Sequence, residues 1–557
     1  MKMSVKKRKS TLVGMAIIVV VGFAGFAMKV NYFEISKQMD IFTTLFKEIN
    51  TYYVDDVEPG TLMKTGIDAM LNSLDPYTTY IPESDIEDFR FQTTGQYGGI
   101  GALIRKKNDT IYISEPYKGF AADKAGLVAG DAILEVDGKP VIGRNTSDVS
   151  KVLKGEAGST VVLKIRKAGS NEIVTVSLNR EEIQVDCVPY YGMVGNGIGY
   201  IRLNSFTDKA YNDVKNAYLD LEANNELKGI IIDLRGNPGG LLRESVNIVN
   251  MFTEKGTEVV STRGKVKEWD KQYNGLNAPL STEIPVTILV NSNSASASEI
   301  VSGALQDLDR AVIVGKKTFG KGLVQQPRNL SYNAQLKVTI AKYYTPSGRC
   351  IQAINYSEKD ENGNVKAMPD SLRTVFKTKA GRSVRDGGGV EPDVTVETEA
   401  WPEILIALER EGYIFDFANL YAYKTESIAE PTTFSLTQEE YEEFVQFVAS
   451  RDFDFQTSTE KKLDAFKKTA GEDDYLESLS QELEQMESKL AMAKDDDIHK
   501  HQTRIKEWLE QEIVTRYYYQ RGRIEYELKN DPYLNAAIEV LNDQSRYREI
   551  LSLAAKP

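Results

Sequence analysis

Cysteine and histidine are nearly absent: the 557 residues hold two of each. Cys187 and Cys350 can close one bridge at most, so no disulfide framework organises the fold, and two isolated buried thiols are expected. The histidines, His499 and His501, stand together in "KDDDIHKHQ", a charged helical stretch far from any glycine-rich turn. A serine–histidine–carboxylate triad needs an imidazole beside its nucleophile, and a zinc site needs three or four clustered ligands. Neither is expected here, and no metal or other cofactor is. Excess positive charge is missing as well. A net charge of −13 with no basic stripe excludes a broad nucleic-acid surface. With 41% apolar and 27% charged residues the composition is that of an ordinary globular protein, and the length allows several domains.

Basic residues do gather at the N-terminus. Lys2, Lys6, Lys7, Arg8 and Lys9 precede an uncharged run from Ser10 to Met28. About 20 apolar residues cross a bilayer as a helix, and flanking cations predict a cytoplasmic N-terminus. The expectation is a single-pass anchor over residues 1–30 in a bacterial inner membrane, with the rest of the chain in the periplasm or otherwise extracytoplasmic. A cleaved signal sequence is the alternative, since Gly25-Phe26-Ala27 offers small residues at a cleavage position.

Residues 31–90 read as a helical arm, with Ile41, Leu45 and Ile49 at four-residue spacing. From 91 to 182 the pattern shortens into strands such as "GQYGGIGALI" and "GDAILEVDGKPV", separated by Gly, Asp and Asn turns. "YGGIGALI" and "AADKAGLVAGDAILEVDGKPV" resemble a PDZ domain. Successive N–H groups at Tyr97, Gly98, Gly99 and Ile100 can wrap a peptide's terminal carboxylate, and the following strand can pair with that peptide. From 183 to 398 buried strands alternate with amphipathic helices, which indicates an α/β core within an α+β multidomain chain. From 399 to 557 the chain is helical and charged. Leu476, Leu479, Leu483, Met486 and Leu490 form a short heptad seam there, and the helical regions leave a homo-oligomer open.

Chemistry gathers in the core. "PVTILVNSNSASASEIVSGAL" reads as strand, tight turn, helix, and a side chain at that junction is exposed beside N–H groups that the first helical turn leaves unpaired. Such a place suits a nucleophile whose oxyanion meets a backbone donor. Serines before helices are also common caps, and Ser294 and Ser298 read as scaffold. Lys321, between two glycines in "TFGKGLVQQ", lies 25 residues beyond Ser296. A lysine serves as general base only if its surroundings lower its pKa. Phe319, Leu323 and Val324 supply an apolar wall, and Gln325 can hold the amine without adding charge. The reading is a Ser296–Lys321 dyad. "DLRGNPGGLL" lacks the spacing of a phosphate loop. It offers the N–H of Gly239 or Gly240 to an oxyanion, with Ala297 N–H as the second donor.

Together with "LDPYTTYI", "VGKKTFGKGLVQ", "AKYYTPSGRCIQ" and "DGGGVEPDV", these stretches resemble the C-terminal processing peptidases, or tail-specific proteases, over residues of about 40 to 397. The resemblance implies a crotonase-like core with an inserted PDZ domain, Ser296 as nucleophile, Lys321 as base and Gln325 orienting the lysine. It implies serine endopeptidase activity near free, unstructured apolar C-termini that the PDZ domain captures. Cys350 departs from the serine usual in "PSGRSIQ". The alternative is a catalytically silent PDZ scaffold that binds tails without cutting them.

Overall fold

The computed structural model describes residues 32–170, 172–359 and 365–552. The chain divides into two units at Tyr80 and Ile81. The first contains the helices Tyr32–Tyr52 and Pro59–Asn72.

The structure does not support the expected inner-membrane anchor with a periplasmic catalytic part. Among the described residues no helix is long and apolar enough to cross a membrane. Tyr32–Tyr52 has the length, but Glu34, Lys37, Asp40, Lys47 and Glu48 interrupt it, and unpaired charge is costly in hydrocarbon. The run from Ser10 to Met28 lies outside the described residues.

In the second unit an antiparallel sheet comes first. Its strand order is Ala102–Lys107, Thr110–Pro116, Ala132–Val136, Thr160–Arg166 and Ile173–Asn179, so Ala102–Lys107 is an edge strand. Alternate residues face inward (Ile111 and Ile113; Val161, Leu163 and Ile165) and pack on Ala122, Val149 and Leu153 from two short helices.

The core sheet runs Tyr190–Met193, Ile198–Arg202, Gly229–Asp233, Val286–Val290, Val312–Gly315, Val394–Thr395, parallel after its first pair. Its central strands are buried on both faces, which is why they read as unbroken apolar runs. Ile230, Ile232, Ile288 and Ile313 face the helices Ala210–Asn224, Leu242–Asn250 and Ala297–Asp307. Ile231, Leu289, Val312 and Val314 face the other way, onto Leu534, Ala537, Val540 and Leu541 of the helix Pro532–Asn542. The α/β core, the inserted small sheet and the helical C-terminal region are thus the fold class expected from the sequence.

The C-terminal helices have their own core around Leu408, Ile414, Phe417, Tyr441, Phe444, Leu509 and Ile513. Of the heptad seam only Leu483 is fully buried, in the helix Ser480–Asp495; Leu476 and Leu479 precede that helix, and Met486 within it is exposed. The long helix Gln502–Glu527 is kinked at Tyr519, whose φ of 56° lies in the left-handed region. Such a conformation costs about 1–3 kcal/mol in a non-glycine residue. At that kink the Tyr519 hydroxyl donates to Asp123 Oδ1 at 2.7 Å, and burial together with Asp123 pushes the phenol up to about 12. Nearby, Lys107 pairs with Asp416, and Arg105 stacks on Phe415 at 4.5 Å. The helices therefore hold the small sheet. Tyr519→Phe removes the hydroxyl bond, worth about 1 kcal/mol, so amide exchange in residues 119–124 should quicken about fivefold. The core strand Gly229–Asp233 should be unaffected; equal exchange in 119–124 would show that the kink does not bind the sheet.

Candidate active site

The strands Gly229–Asp233, Val286–Val290 and Val312–Gly315 are neighbours in parallel, so the segments that follow them emerge at one end of the sheet. In open α/β sheets that carboxyl end is where ligands bind. The three segments carry Gly239 and Gly240, Ser296, and Lys321. Sequence neighbours they are not; topology brings them together.

Ser296 occupies the position before the helix Ala297–Asp307, at φ 56°, and is half-buried. Ala297 opens that helix, so its N–H is one of those the first turn cannot pair internally. Ser294 Oγ donates to Leu234 O at 2.8 Å and Ser298 Oγ donates to Asn237 O at 2.9 Å. Both are engaged in holding the turn against the glycine loop. Gly239, at φ 101°, touches the turn so closely that a Cβ would lie 2.7 Å from Ala295 O and 2.8 Å from Ser296 Cβ. Any larger residue would push the two segments apart.

Within the glycine loop the two candidate donors differ. Gly239 N–H donates to Asn237 Oδ1 at 2.8 Å. Phe206 pairs with Gly239 O and Leu241 N–H on either side of Gly240, which turns the Gly240 N–H away from Phe206.

Lys321 lies between Gly320 and Gly322, where a Cβ would meet Ala353 Cβ at 2.5 Å and Gln352 N at 2.7 Å. The flanking glycines permit that close passage. Gln325 sits on the strand Leu323–Asn329, its amide donating to Thr339 Oγ1 at 3.2 Å.

Two residues that sequence reading passed over join these segments. Glu299, fully buried, accepts from Thr318 Oγ1 (2.6 Å) and Gly320 N–H (2.7 Å) on one oxygen. On the other it accepts from Lys321 N–H (2.8 Å) and Ser296 N–H (2.9 Å). Burial pushes its carboxyl up from the ordinary range, against the pull of these donors. Tyr343, also buried, places its hydroxyl against the carbonyl oxygens of both Ser296 and Lys321. One side chain thus bridges the N–H groups of the two candidates and another their carbonyls. Glu299 follows Ser296 at the spacing of a capping box, a signal that could have found it; Tyr343 had none.

Tyr97, Gly98 and Gly99 belong to the strand Gln96–Gly99, which forms a separate two-stranded sheet with Glu181–Gln184. Ile100 is buried and accepts from Ala122 N–H at 2.8 Å. The turn at the head of the edge strand is therefore Ile100–Gly101. Cys187 and Cys350 are both free. Among the described residues no group of acidic, cysteine or histidine side chains could hold a metal ion.

Comparison with known proteins adds the decisive observation. A "Carboxy-terminal-processing protease" of Bartonella bacilliformis is 39% identical over 321 residues, covering 57% of this chain and 73% of the relative. Residues 197–359 match "Peptidase family S41". The chain belongs to the carboxy-terminal-processing proteases of peptidase family S41. A "Probable CtpA-like serine protease" of Staphylococcus aureus is 33% identical over 398 residues, covering 71% of this chain and 72% of that one. Residues 112–167 match "PDZ domain" and residues 404–541 match "Probable PDZ-protease, C-terminal helical domain". Among solved structures, the photosystem II D1 C-terminal processing protease is 27% identical with a TM-score of 0.35, covering 68% of this chain and 96% of that one. As a carboxy-terminal-processing protease the chain is a serine-type peptidase, and its PDZ domain binds peptide.

Proposed function

We propose that Ser296 is the nucleophile and Lys321 the general base of this protease. Neutral Lys321 takes the Ser296 Oγ proton as the oxygen attacks the scissile carbonyl. The oxyanion meets Ala297 N–H and Gly240 N–H, while Gly239 shapes the loop. Lys321, now charged, returns the proton to the leaving amine. Water then attacks the acyl-enzyme, and Lys321 again takes and gives the proton. Gln325 orients the amine without adding a charge that would raise its pKa. The observation that carries this reading is the Glu299 carboxylate, which accepts from Ser296 and Lys321 N–H on one oxygen.

The substrates are proteins with free, unstructured apolar C-termini. Tail capture falls to the PDZ domain, bounded at 91 and 182. Its edge strand Ala102–Lys107 pairs on one side with Thr110–Pro116, and the other side suits an added peptide strand whose carboxylate meets the Tyr97–Ile100 segment and its turn. The protease core takes residues 183–398.

The test uses the full chain and an unfolded protein with an apolar tail, beside the same protein amidated at its C-terminus. Amidation should lower kcat/KM about tenfold or more, chiefly through KM. Equal cleavage of both would remove carboxylate capture from the reading. Tail binding with no cleavage would favour the silent scaffold.

A further inference from the structure

The glycine loop that would supply the oxyanion donor holds three glycines at positive φ within five residues: Gly236 at 73°, Gly239 at 101° and Gly240 at 149°. Such a segment is pliable unless tethered. It is tied to the nucleophile's turn, with Asn237 O accepting from Ala295 N–H (3.0 Å) and Ser298 Oγ (2.9 Å). In its middle Asn237 Nδ2 donates to Leu203 O at 2.7 Å, and Gly236 N–H donates to Asn291 Oδ1 at 3.0 Å.

Its upstream end is Arg235, and there the tether comes from far away in the chain. Arg235 Nη1 donates to Asp531 Oδ1 at 3.0 Å and Nη2 donates to Asp531 Oδ2 at 2.5 Å, a two-pronged pair. Its Nε and Nη2 also engage the fully buried Asp233, whose second partner is the Tyr200 hydroxyl at 2.7 Å. The guanidinium lies over the Tyr533 ring at 4.9 Å. One strand away, Arg202 pairs with Glu527 at 2.9 Å. Two arginines at the carboxyl end of the core sheet are therefore gripped by acids from the C-terminal helices.

Resting on the reading of Ser296 and its glycine loop, we propose that Asp531 is a positioning residue for proteolysis. Through Arg235 it holds the loop so that Gly240 N–H is aimed at the oxyanion. Asp531 also caps the helix Pro532–Asn542, accepting from Tyr533 N–H (2.9 Å) and Leu534 N–H (3.3 Å). That capping role is served about equally well by asparagine. The charged, two-pronged grip on Arg235 is not, since an amide offers one acceptor oxygen and no charge. The C-terminal helical region then completes the catalytic site.

Asp531→Asn in the full chain separates the two roles. The expected result is a kcat about tenfold lower, KM within twofold and a melting temperature near that of the wild type, because a misplaced donor harms the transition state more than the bound substrate. Affinity for a peptide aldehyde, which forms a tetrahedral adduct with the serine, should fall in parallel with kcat. Arg235→Lys keeps the charge and loses the fork. It should show the same loss, and the double variant should lose little more than either alone. The proposal is overturned if Asp531→Asn keeps kcat within twofold, if the loss lies in KM or follows the melting temperature, or if the two losses multiply. Ser296→Ala is the separate check. If it still cleaves, the reading of the site fails whatever Asp531 does.

Discussion

Ser296→Ala and Lys321→Ala should each lower cleavage of an unfolded protein by about 10⁴-fold or more, since residues that act as a catalytic unit each cost nearly the whole of it. The chain's histidines cannot take over the base. His499 and His501 lie on the C-terminal helices beside Glu442 and Asp497. Lys321→Arg is the sharper variant. It keeps the positive charge and the length, but a guanidinium does not give up its proton in proteins. If Lys321 merely stabilised the oxyanion by charge, arginine would keep much of the rate; as general base it should be as inactive as alanine. Cleavage followed by mass spectrometry, with circular dichroism to confirm folding, decides between them. Retention of a tenth of the wild-type rate by Lys321→Arg would mean that the proton goes elsewhere.

These residues were legible because each sits in a local pattern. The strand–turn–helix at 286–307 places Ser296 at the head of a helix, and Gly320 and Gly322 mark Lys321 as a place of close passage. The parallel order of three strands, read as alternating apolar runs and helices, then brings the turns to one end. What stayed hidden depends on distance along the chain. Glu299 stands at cap spacing from Ser296, but its bonds to Thr318, Gly320 and Lys321 join segments that no periodicity links. Arg235 and Asp531 are separated by almost 300 residues, and each reads alone as a surface charge. The kink at Tyr519 lies in a run with helical pattern and no proline; its bond to Asp123, on the short helix Ala121–Lys124, joins segments that no local sequence links. The heptad spacing at 476–490 misleads in the opposite sense, because the stripe shows neither where the helix begins nor what covers it: Met486 lies within the helix Ser480–Asp495 and is exposed.

Glu299→Ala should have the second large effect, and it should strike stability and catalysis together. The change leaves the N–H groups of Ser296, Gly320 and Lys321 without their acceptor in a buried site. Each unsatisfied donor costs about 1–3 kcal/mol, a large share of the roughly 5–15 kcal/mol that keeps a domain folded. Some of that is relieved only if the two segments separate, which is the movement the dyad cannot tolerate. A displacement of about 1 Å can cost 10²-fold in rate. Glu299→Gln divides the two effects. Each carboxylate oxygen serves two donors, so the amide must present its NH2 to one pair. Facing Thr318 and Gly320 it does less harm, because the Thr318 hydroxyl can turn and accept while the remaining oxygen keeps Ser296 and Lys321 together. Glu299→Gln should therefore fold, melt somewhat lower and cleave about tenfold slower, whereas Glu299→Ala should lose most of its rate and several kcal/mol of stability. Thermal melts beside kcat, with the rate of fluorophosphonate labelling at Ser296 as a third reading, distinguish these outcomes. An alanine variant that melts and cleaves like wild type would show that Tyr343, holding the two carbonyls, is enough to keep the segments in place.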